Sequence, residues 1–284
     1  MASTVSRRSV LTTSCAVGAA VAGAGIVTTR AAAQTHSAGL PTERFFRDDW
    51  FGEPWRKPEA IVLIHGALES GVIWYAWVPT LAKQFRVLRP DLPGCGLATV
   101  PAGFKWSFAG LAAYVASVLD KAGVESAHIV GAKTGGPIAM QFAADFPGLT
   151  RTLSVVSGPA SVISITNPSP VPQKDRLGSS ASQEMIEFWT RMEKDAPQAG
   201  TQGLNAALSS FDLERDGVLQ RIKAPSLIIT ADKSALQSVE KVRKYQQAIR
   251  DSRLVVLRSD AYHVAVAKPD ECVASVLAFI REND

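Results

Sequence analysis

Cysteine and histidine are scarce in this chain of 284 residues, which has three cysteines and four histidines. Cys15 lies in the N-terminal apolar stretch, so Cys95 and Cys272 are the two cysteines of the remaining chain. Two cysteines allow at most one disulfide, and the sequence does not show whether these two pair. Neither cysteine has a zinc-ligand spacing with His36 or His128. We therefore predict no metal site.

Glycine-rich phosphate-binding motifs and basic clusters are also missing. No Gly-x-Gly-x-x-Gly or P-loop pattern follows an apolar strand, so we predict no nucleotide cofactor and no cofactor of another kind. No dense run of lysine and arginine alternates with aromatic residues, which argues against a nucleic-acid partner. Charged residues make up 20% of the chain and hydrophobic residues 46%, as in ordinary globular proteins.

The sequence has no apolar run long enough to favour a stable membrane span. Instead, Arg7 and Arg8 precede an apolar stretch rich in alanine and glycine, and Ala31-Ala32-Ala33 offers a cleavage site before Gln34. This segment resembles a twin-arginine signal, so we predict that residues 1–33 direct export to the periplasm or the cell exterior. Their removal takes away three arginines and no acid, which lowers the formal net charge from +4 to +1.

Short apolar runs alternate with amphipathic stretches over most of residues 34–284. This alternation predicts an α/β domain with a mostly parallel central sheet and helices on both faces. A weak strand signal covers about 45–55, and the expected helices cover 77–83, 111–122, 137–146 and 269–281. The other expected strands are 60–64, 85–90, 127–130, 153–157, 226–230 and 254–257. The pattern is interrupted at about 160–220, where a loop and helices over 182–194 and 201–208 predict a small inserted cap.

Five motifs occur in an order that resembles the α/β-hydrolase superfamily. They are His65-Gly66-Ala67, residues 91–96 (DLPGCG), residues 130–136 (VGAKTGG), Ala261-Tyr262-His263 and the helix that follows it. Their order and spacing predict the α/β-hydrolase fold over about residues 59–282. In this superfamily the third motif is the nucleophile elbow, a strained turn between a strand and a helix.

Two functional positions differ from the family pattern. Lys133 stands where the elbow carries its nucleophilic serine. Ser234 stands at the usual acid position, and Asp232 lies two residues earlier. His263 alone of the three triad positions is retained, and we consider Ser234 or Asp232 as its support.

The resemblance also implies an oxyanion hole and a substrate pocket. The backbone amides of Ala67 and Thr134 are expected to bind a carbonyl oxygen beside Lys133. Trp74, Phe188 and Trp189 are candidate substrate-binding residues, although each is also suited to packing alone.

Lys133 has three conceivable roles. As a neutral amine it would form a Schiff base with a ketone or aldehyde and assist carbon–carbon cleavage. As a cation it would stabilise an oxyanion or enolate while His263 moves protons. In the third role it is not catalytic and pairs with an acid such as Glu69.

The leading hypothesis is an exported enzyme that cleaves a small, fairly apolar carbonyl compound at a carbon–carbon, ester or lactone bond. In it, Lys133 replaces the serine and His263 is the acid and base. The alternative is a ligand-binding protein on a hydrolase scaffold that has lost catalysis. The sequence does not decide the substrate or the oligomeric state.

Overall fold

The computed structural model describes residues 45–162 and 171–283, so the predicted signal over 1–33 and part of the cap loop lie outside the described residues. Seven strands in this part of the chain form one sheet in the order β1-β3-β2-β4-β5-β6-β7. They are β1 Phe46–Asp49, β2 Ala60–Ile64, β3 Arg86–Pro90, β4 Ala127–Ala132, β5 Thr150–Val156, β6 Ser226–Ala231 and β7 Ser252–Leu257. β1 is antiparallel to β3 and every other pairing is parallel, which confirms the mostly parallel sheet.

Helices follow most of the strands. They are α1 Val78–Leu81, α2 Phe108–Ala122, α3 Gly135–Asp145, α4 Gln173–Leu177, α5 Gln183–Lys194, α6 Gln198–Leu208, α7 Val218–Arg221, α8 Val239–Gln246, α9 Val264–Ala267 and α10 Pro269–Glu282. α4, α5 and α6 lie between β5 and β6 in the chain. They fall within about 160–220, where an inserted cap is predicted, and are called the cap helices below.

The sheet has an apolar core on each face. Ala60, Val62 and Ile64 of β2 belong to one core with α2, α3 and α8. The alternate residues Ile61 and Leu63 belong to the other, with α1 and α10. Because successive side chains of a strand point to opposite faces, a strand apolar at every position is buried on both sides.

Several helices differ from the sequence-based expectation by one to three residues in where they begin or end. α1 begins at Val78 with Pro79 in its first turn, where a missing amide is tolerated, and it ends after four residues; the residues before Trp77 form a short 3-10 helix. α2 begins at Phe108, earlier than expected, since the Ser107 hydroxyl accepts a hydrogen bond from the Gly110 amide and caps the first turn.

No helix within the described ranges is long and apolar enough to cross a bilayer. The same residues hold no group of three or more His, Cys, Asp and Glu side chains that could bind a metal ion. Cys95 and Cys272 are both buried free thiols. Burial raises the pKa of Cys95 to about 12, so this thiol is un-ionised at neutral pH.

Candidate functional site

Lys133 occupies a strained turn between β4 and α3. Its φ is +52°, in the left-handed region that costs an ordinary residue about 1–2 kcal/mol. The turn closes because Gly131 and Gly135 lack side chains: a Cβ on Gly131 would collide with the Gly135 carbonyl, and one on Gly135 with the Ile64 carbonyl. The lysine is therefore held at the carboxyl edge of the sheet, where ligands bind in folds of this class.

The buried carboxylate of Glu69 is the centre of the site. Its Oε1 accepts hydrogen bonds from Lys133 Nζ at 2.7 Å, His263 Nε2 at 2.8 Å and Trp189 Nε1 at 3.3 Å. Its Oε2 accepts from the Gly66 amide at 3.0 Å. The structure shows the pairing of Lys133 with Glu69 that the sequence suggested. No motif in the sequence predicts that His263 and Trp189 bind the same oxygen.

Glu69 is ionised. Burial would raise its pKa, but attraction to His263 and Lys133 and their hydrogen bonds hold the pKa well below its usual range. Because an ionised carboxylate only accepts hydrogen bonds, the facing Nε2 of His263 must carry a hydrogen. Burial, together with the charges of Lys133 and Arg176, lowers the pKa of His263 despite the opposing effect of Glu69. The ring is thus neutral at pH 7, with its lone pair on Nδ1.

In the described structure no acid takes the place of the missing triad carboxylate beside His263. His263 Nδ1 is buried and has no hydrogen-bond partner among the described residues. Ser234 does not contact the ring, because its hydroxyl accepts from the Leu236 amide in its own turn. Asp232 is exposed and accepts from the Ser259 amide. The expectation that one of these two residues supports His263 is therefore wrong.

Ala67 and Thr134 are the two residues whose amides are predicted to bind a ligand oxygen. Ala67 and Thr134 both line the cavity beside Lys133. No backbone acceptor in the described part of the chain pairs with either amide. The preceding turn is fixed by buried His65, whose Nδ1 bonds the Gly66 carbonyl at 2.7 Å and whose Nε2 accepts from the Leu92 amide. The two amides are therefore available to a ligand oxygen.

A cavity of about 310 Å³ lies over these groups, at the small end of the range for ligand sites. Lys133 and Glu69 are in its wall, whereas His263 is not one of the described residues that line it. The sequence suggested that His263 meets the substrate directly. The structure instead puts Glu69 between that ring and the cavity.

Of the three candidate substrate-binding aromatics, only Trp189 lines the cavity. Trp74 is fully buried in the core beneath, edge-on to Trp77 at 4.9 Å between ring centroids. Phe188 is 37% exposed and stacks edge-on with Trp189. On α5, Phe188 and Trp189 are neighbours about 100° apart, so one helix cannot turn both inward.

Sequence reasoning missed Gln173, Arg176 and Tyr262, which also line the cavity. The first two are on α4 of the cap, a five-residue helix with no motif to mark it. Tyr262 precedes His263 in the loop after β7, and the sequence marks it only as part of a family motif. His128, by contrast, is structural as expected, since its Nδ1 bonds the Thr152 hydroxyl at 3.0 Å.

Comparison with known proteins agrees with the architecture. A family model described as alpha/beta hydrolase fold matches residues 59–184. A crystal structure of a hydrolase from Pseudomonas aeruginosa superposes with a TM-score of 0.70 over 83% of this chain and 93% of that one, at 23% identity. This is an α/β-hydrolase-fold protein. At that identity the superposition establishes the fold alone.

Curated relatives match over one segment. A pimeloyl-[acyl-carrier protein] methyl ester esterase from Aeromonas hydrophila is 35% identical over 34% of this chain and 37% of its own length. A 2-hydroxy-6-oxo-2,4-heptadienoate hydrolase from Pseudomonas putida is 31% identical over 33% of this chain and 35% of its own. The chain thus matches about a third of the length of these relatives.

Proposed function

We propose that this protein is an enzyme that cleaves a small, largely apolar carbonyl compound at an ester, lactone or carbon–carbon bond. The single observation that carries this proposal is the buried Lys133–Glu69 ion pair in the wall of the cavity, beside the amides of Ala67 and Thr134, which have no backbone acceptor among the described residues. The relatives support the class of reaction, since their names specify a methyl ester esterase and a hydrolase of an oxo-dienoate.

Lys133 acts in this proposal as a cation and not as a nucleophile. Its Nζ lies 2.7 Å from Glu69 Oε1 and both side chains are buried. A carboxylate charge is costly in a low-dielectric site unless a cation is paired with it, and Lys133 is the described lysine that pairs with Glu69. This geometry argues against a resting Schiff-base amine and favours the second of the three roles.

The substrate carbonyl oxygen would lie among the amides of Ala67 and Thr134 and the Lys133 ammonium. As the bond to the incoming nucleophile forms, or as an enolate develops, negative charge gathers on that oxygen. Donors fixed in advance stabilise this charge without reorganisation, and one such donor is worth about 10²- to 10³-fold in kcat.

Glu69 is the group that would exchange a proton with the substrate, because it faces the cavity. It would take a proton from water in hydrolysis, or from the substrate in carbon–carbon cleavage, and return that proton to the leaving group. In the resting site Glu69 is a weak base. When the oxyanion draws Lys133 to itself, Glu69 loses part of its compensating charge and becomes more basic. His263 would hold the carboxylate in place through Nε2–H.

Turnover of a substrate panel tests the proposal. The panel consists of p-nitrophenyl esters, small lactones and 1,3-diketones, and the measured quantity is kcat/KM. We expect Lys133→Met to lower kcat/KM by roughly 100-fold or more, by loss of an oxyanion donor. The matched control is Lys83→Met, at an exposed lysine far from the cavity, which should match the parent. Borohydride added with a ketone should leave Lys133 unmodified.

The second candidate is a ligand-binding protein that performs no chemistry. It is favoured by the four hydrogen-bond donors that already satisfy Glu69 and by the unpartnered Nδ1 of His263. Equal rates for the parent and Lys133→Met, with both proteins folded, would reject the role of Lys133. If those rates are also no higher than the uncatalysed rate across the panel, the ligand-binding protein is favoured.

A further inference from the structure

The wall of the cavity contains a cation that has no counter-ion among the described residues. Arg176, on α4 of the cap, lines the cavity and is partly buried. Its Nε donates to the Val171 carbonyl at 2.9 Å. Within the described residues no aspartate or glutamate forms an ion pair with its guanidinium, whereas other arginines such as Arg86 and Arg89 each have an aspartate within 3 Å.

The charges of the cavity wall therefore do not cancel. Lys133 and Glu69 compensate one another in their ion pair. Arg176 adds a positive charge that these two do not offset. A guanidinium is always ionised, and its planar fork matches the two oxygens of a carboxylate. The cavity as a whole consequently favours an anionic ligand.

A second unsatisfied group lies on the same helix. Gln173 is 8% exposed and lines the cavity; its Nε2 donates to Glu193, but its buried Oε1 has no hydrogen-bond donor in the described structure. Residues three apart on a helix share a face, so Gln173 and Arg176 both contribute polar atoms to the cavity. The free Oε1 can accept a hydrogen bond from a ligand hydroxyl, whereas the guanidinium of Arg176 is the group that can bind a carboxylate. Leu208, Phe211 and Leu236 contribute apolar wall, which suits a short hydrocarbon chain.

We propose that the substrate is an ionised carboxylic acid that also carries the reacting carbonyl, with its carboxylate on Arg176 and its carbonyl oxygen at Lys133, Ala67 and Thr134. This inference rests on the proposed function for the role of Lys133. Beyond that function, it assigns a carboxylate to the substrate and Arg176 of the cap as the residue that binds it.

Calorimetric binding of two non-cleavable ketones tests this inference without any turnover. The probes are 5-oxohexanoate and 6-methylheptan-2-one, in which an isopropyl group replaces the carboxylate. The parent should bind the acid more tightly. Arg176→Gln should weaken binding of the acid by roughly 10- to 100-fold, as expected for a hydrogen bond to a charged group, and leave binding of the neutral ketone within about twofold.

Two further variants complete the test. Arg176→Lys keeps the charge but loses the fork, and should fall between the parent and Arg176→Gln. Arg191→Gln changes another arginine of the cap that does not line this cavity, and should bind both probes as the parent does. Unchanged binding of the neutral ketone shows that each variant is folded around an intact cavity.

The outcomes separate this inference from the proposed function. If Arg176→Gln binds the acid as the parent does, or the parent does not prefer the acid, the carboxylate site is rejected even where the parent cleaves neutral esters. If the acid depends on Arg176 but the parent cleaves neither the panel nor an activated ester that carries a free carboxylate, such as mono-p-nitrophenyl glutarate, the carboxylate site stands and the enzyme is rejected.

Discussion

At the scale of single residues, a lysine in place of the elbow serine requires an acidic side chain beside it. A buried ammonium needs a counter-ion, and Glu69 supplies it from the turn after β2. Breaking a buried pair by removing one partner costs about 3–5 kcal/mol, because the other charge stays buried and unpaired. Lys133 and Glu69 are thus energetically a unit, and a variant at either position needs a test of folding beside any test of activity.

The ionisation of His263 and Glu69 makes the stability of the fold depend on pH. The folded pKa values of His263 and Glu69 both lie below their ordinary values of 6.5 and 4.5. As pH falls below about 6.5, the unfolded chain protonates His263 before the folded protein does, so the free energy of unfolding falls. Below about 4.5 Glu69 adds a second loss of the same sign, which ends only below its folded pKa.

We predict that His263→Gln reduces the acid sensitivity of the fold. The glutamine amide can still donate to Glu69, but it does not titrate. Between about pH 6 and pH 5 the slope of the unfolding free energy should become shallower by up to ~1.4 kcal/mol per pH unit, the value for one proton. Urea unfolding at several pH values measures this slope. His65, whose pKa burial also lowers, should retain its share of the slope. An unchanged slope would contradict the assignment of a neutral His263.

At the scale of secondary-structure elements, sequence patterns located most of the fold. Continuous apolar runs predicted the strands because each strand is covered on both faces. Helix ends were less accurate, since a capping residue such as Ser107 moves the start of a helix by up to three residues. The elbow was identifiable because its glycines are required by backbone contact.

We predict that Gly135→Ala destabilises the protein by more than about 3 kcal/mol or prevents folding. A methyl group there would collide with the backbone carbonyls of Ile64 and His65, which cannot move without displacing β2. Gly148→Ala is the matched control, because no atom lies within 4 Å of the added carbon and φ is not left-handed. Its unfolding free energy should stay within about 0.5 kcal/mol of the parent. Thermal and urea unfolding of both variants give the comparison, and a stable Gly135→Ala protein would show that the elbow tolerates a wider turn.

At the scale of the whole molecule, the site is assembled from distant parts of the chain. Glu69 and His263 are 194 residues apart in sequence, and Glu69 and Lys133 are 64 apart. The cap contributes Trp189 and Arg176, whose side chains face the core across the cavity. The carboxyl ends of parallel strands meet at one sheet edge, so loops far apart in the chain converge there.

Export is a prediction about the whole molecule that stands on the sequence alone. Arg7→Lys combined with Arg8→Lys should retain the protein in the cytoplasm, because the paired arginines are the feature that the export route reads. The measurement is the distribution of the protein between cell fractions, with N-terminal sequencing of the exported form. We expect the parent to begin at or near Gln34. Export of the double variant at the parental level would reject a twin-arginine route.

The sequence by itself determined the class of fold, the strained elbow and the lysine on it, since apolar periodicity and glycine spacing act over short stretches of chain. It also suggested Glu69 as a partner for Lys133. Only the tertiary structure decided that Glu69 binds His263 as well, that Ser234 and Asp232 stand apart from the ring, and that Arg176 has no counter-ion within residues 45–162 and 171–283. These outcomes depend on which side chains converge from separate loops, and local sequence does not encode the distances between loops.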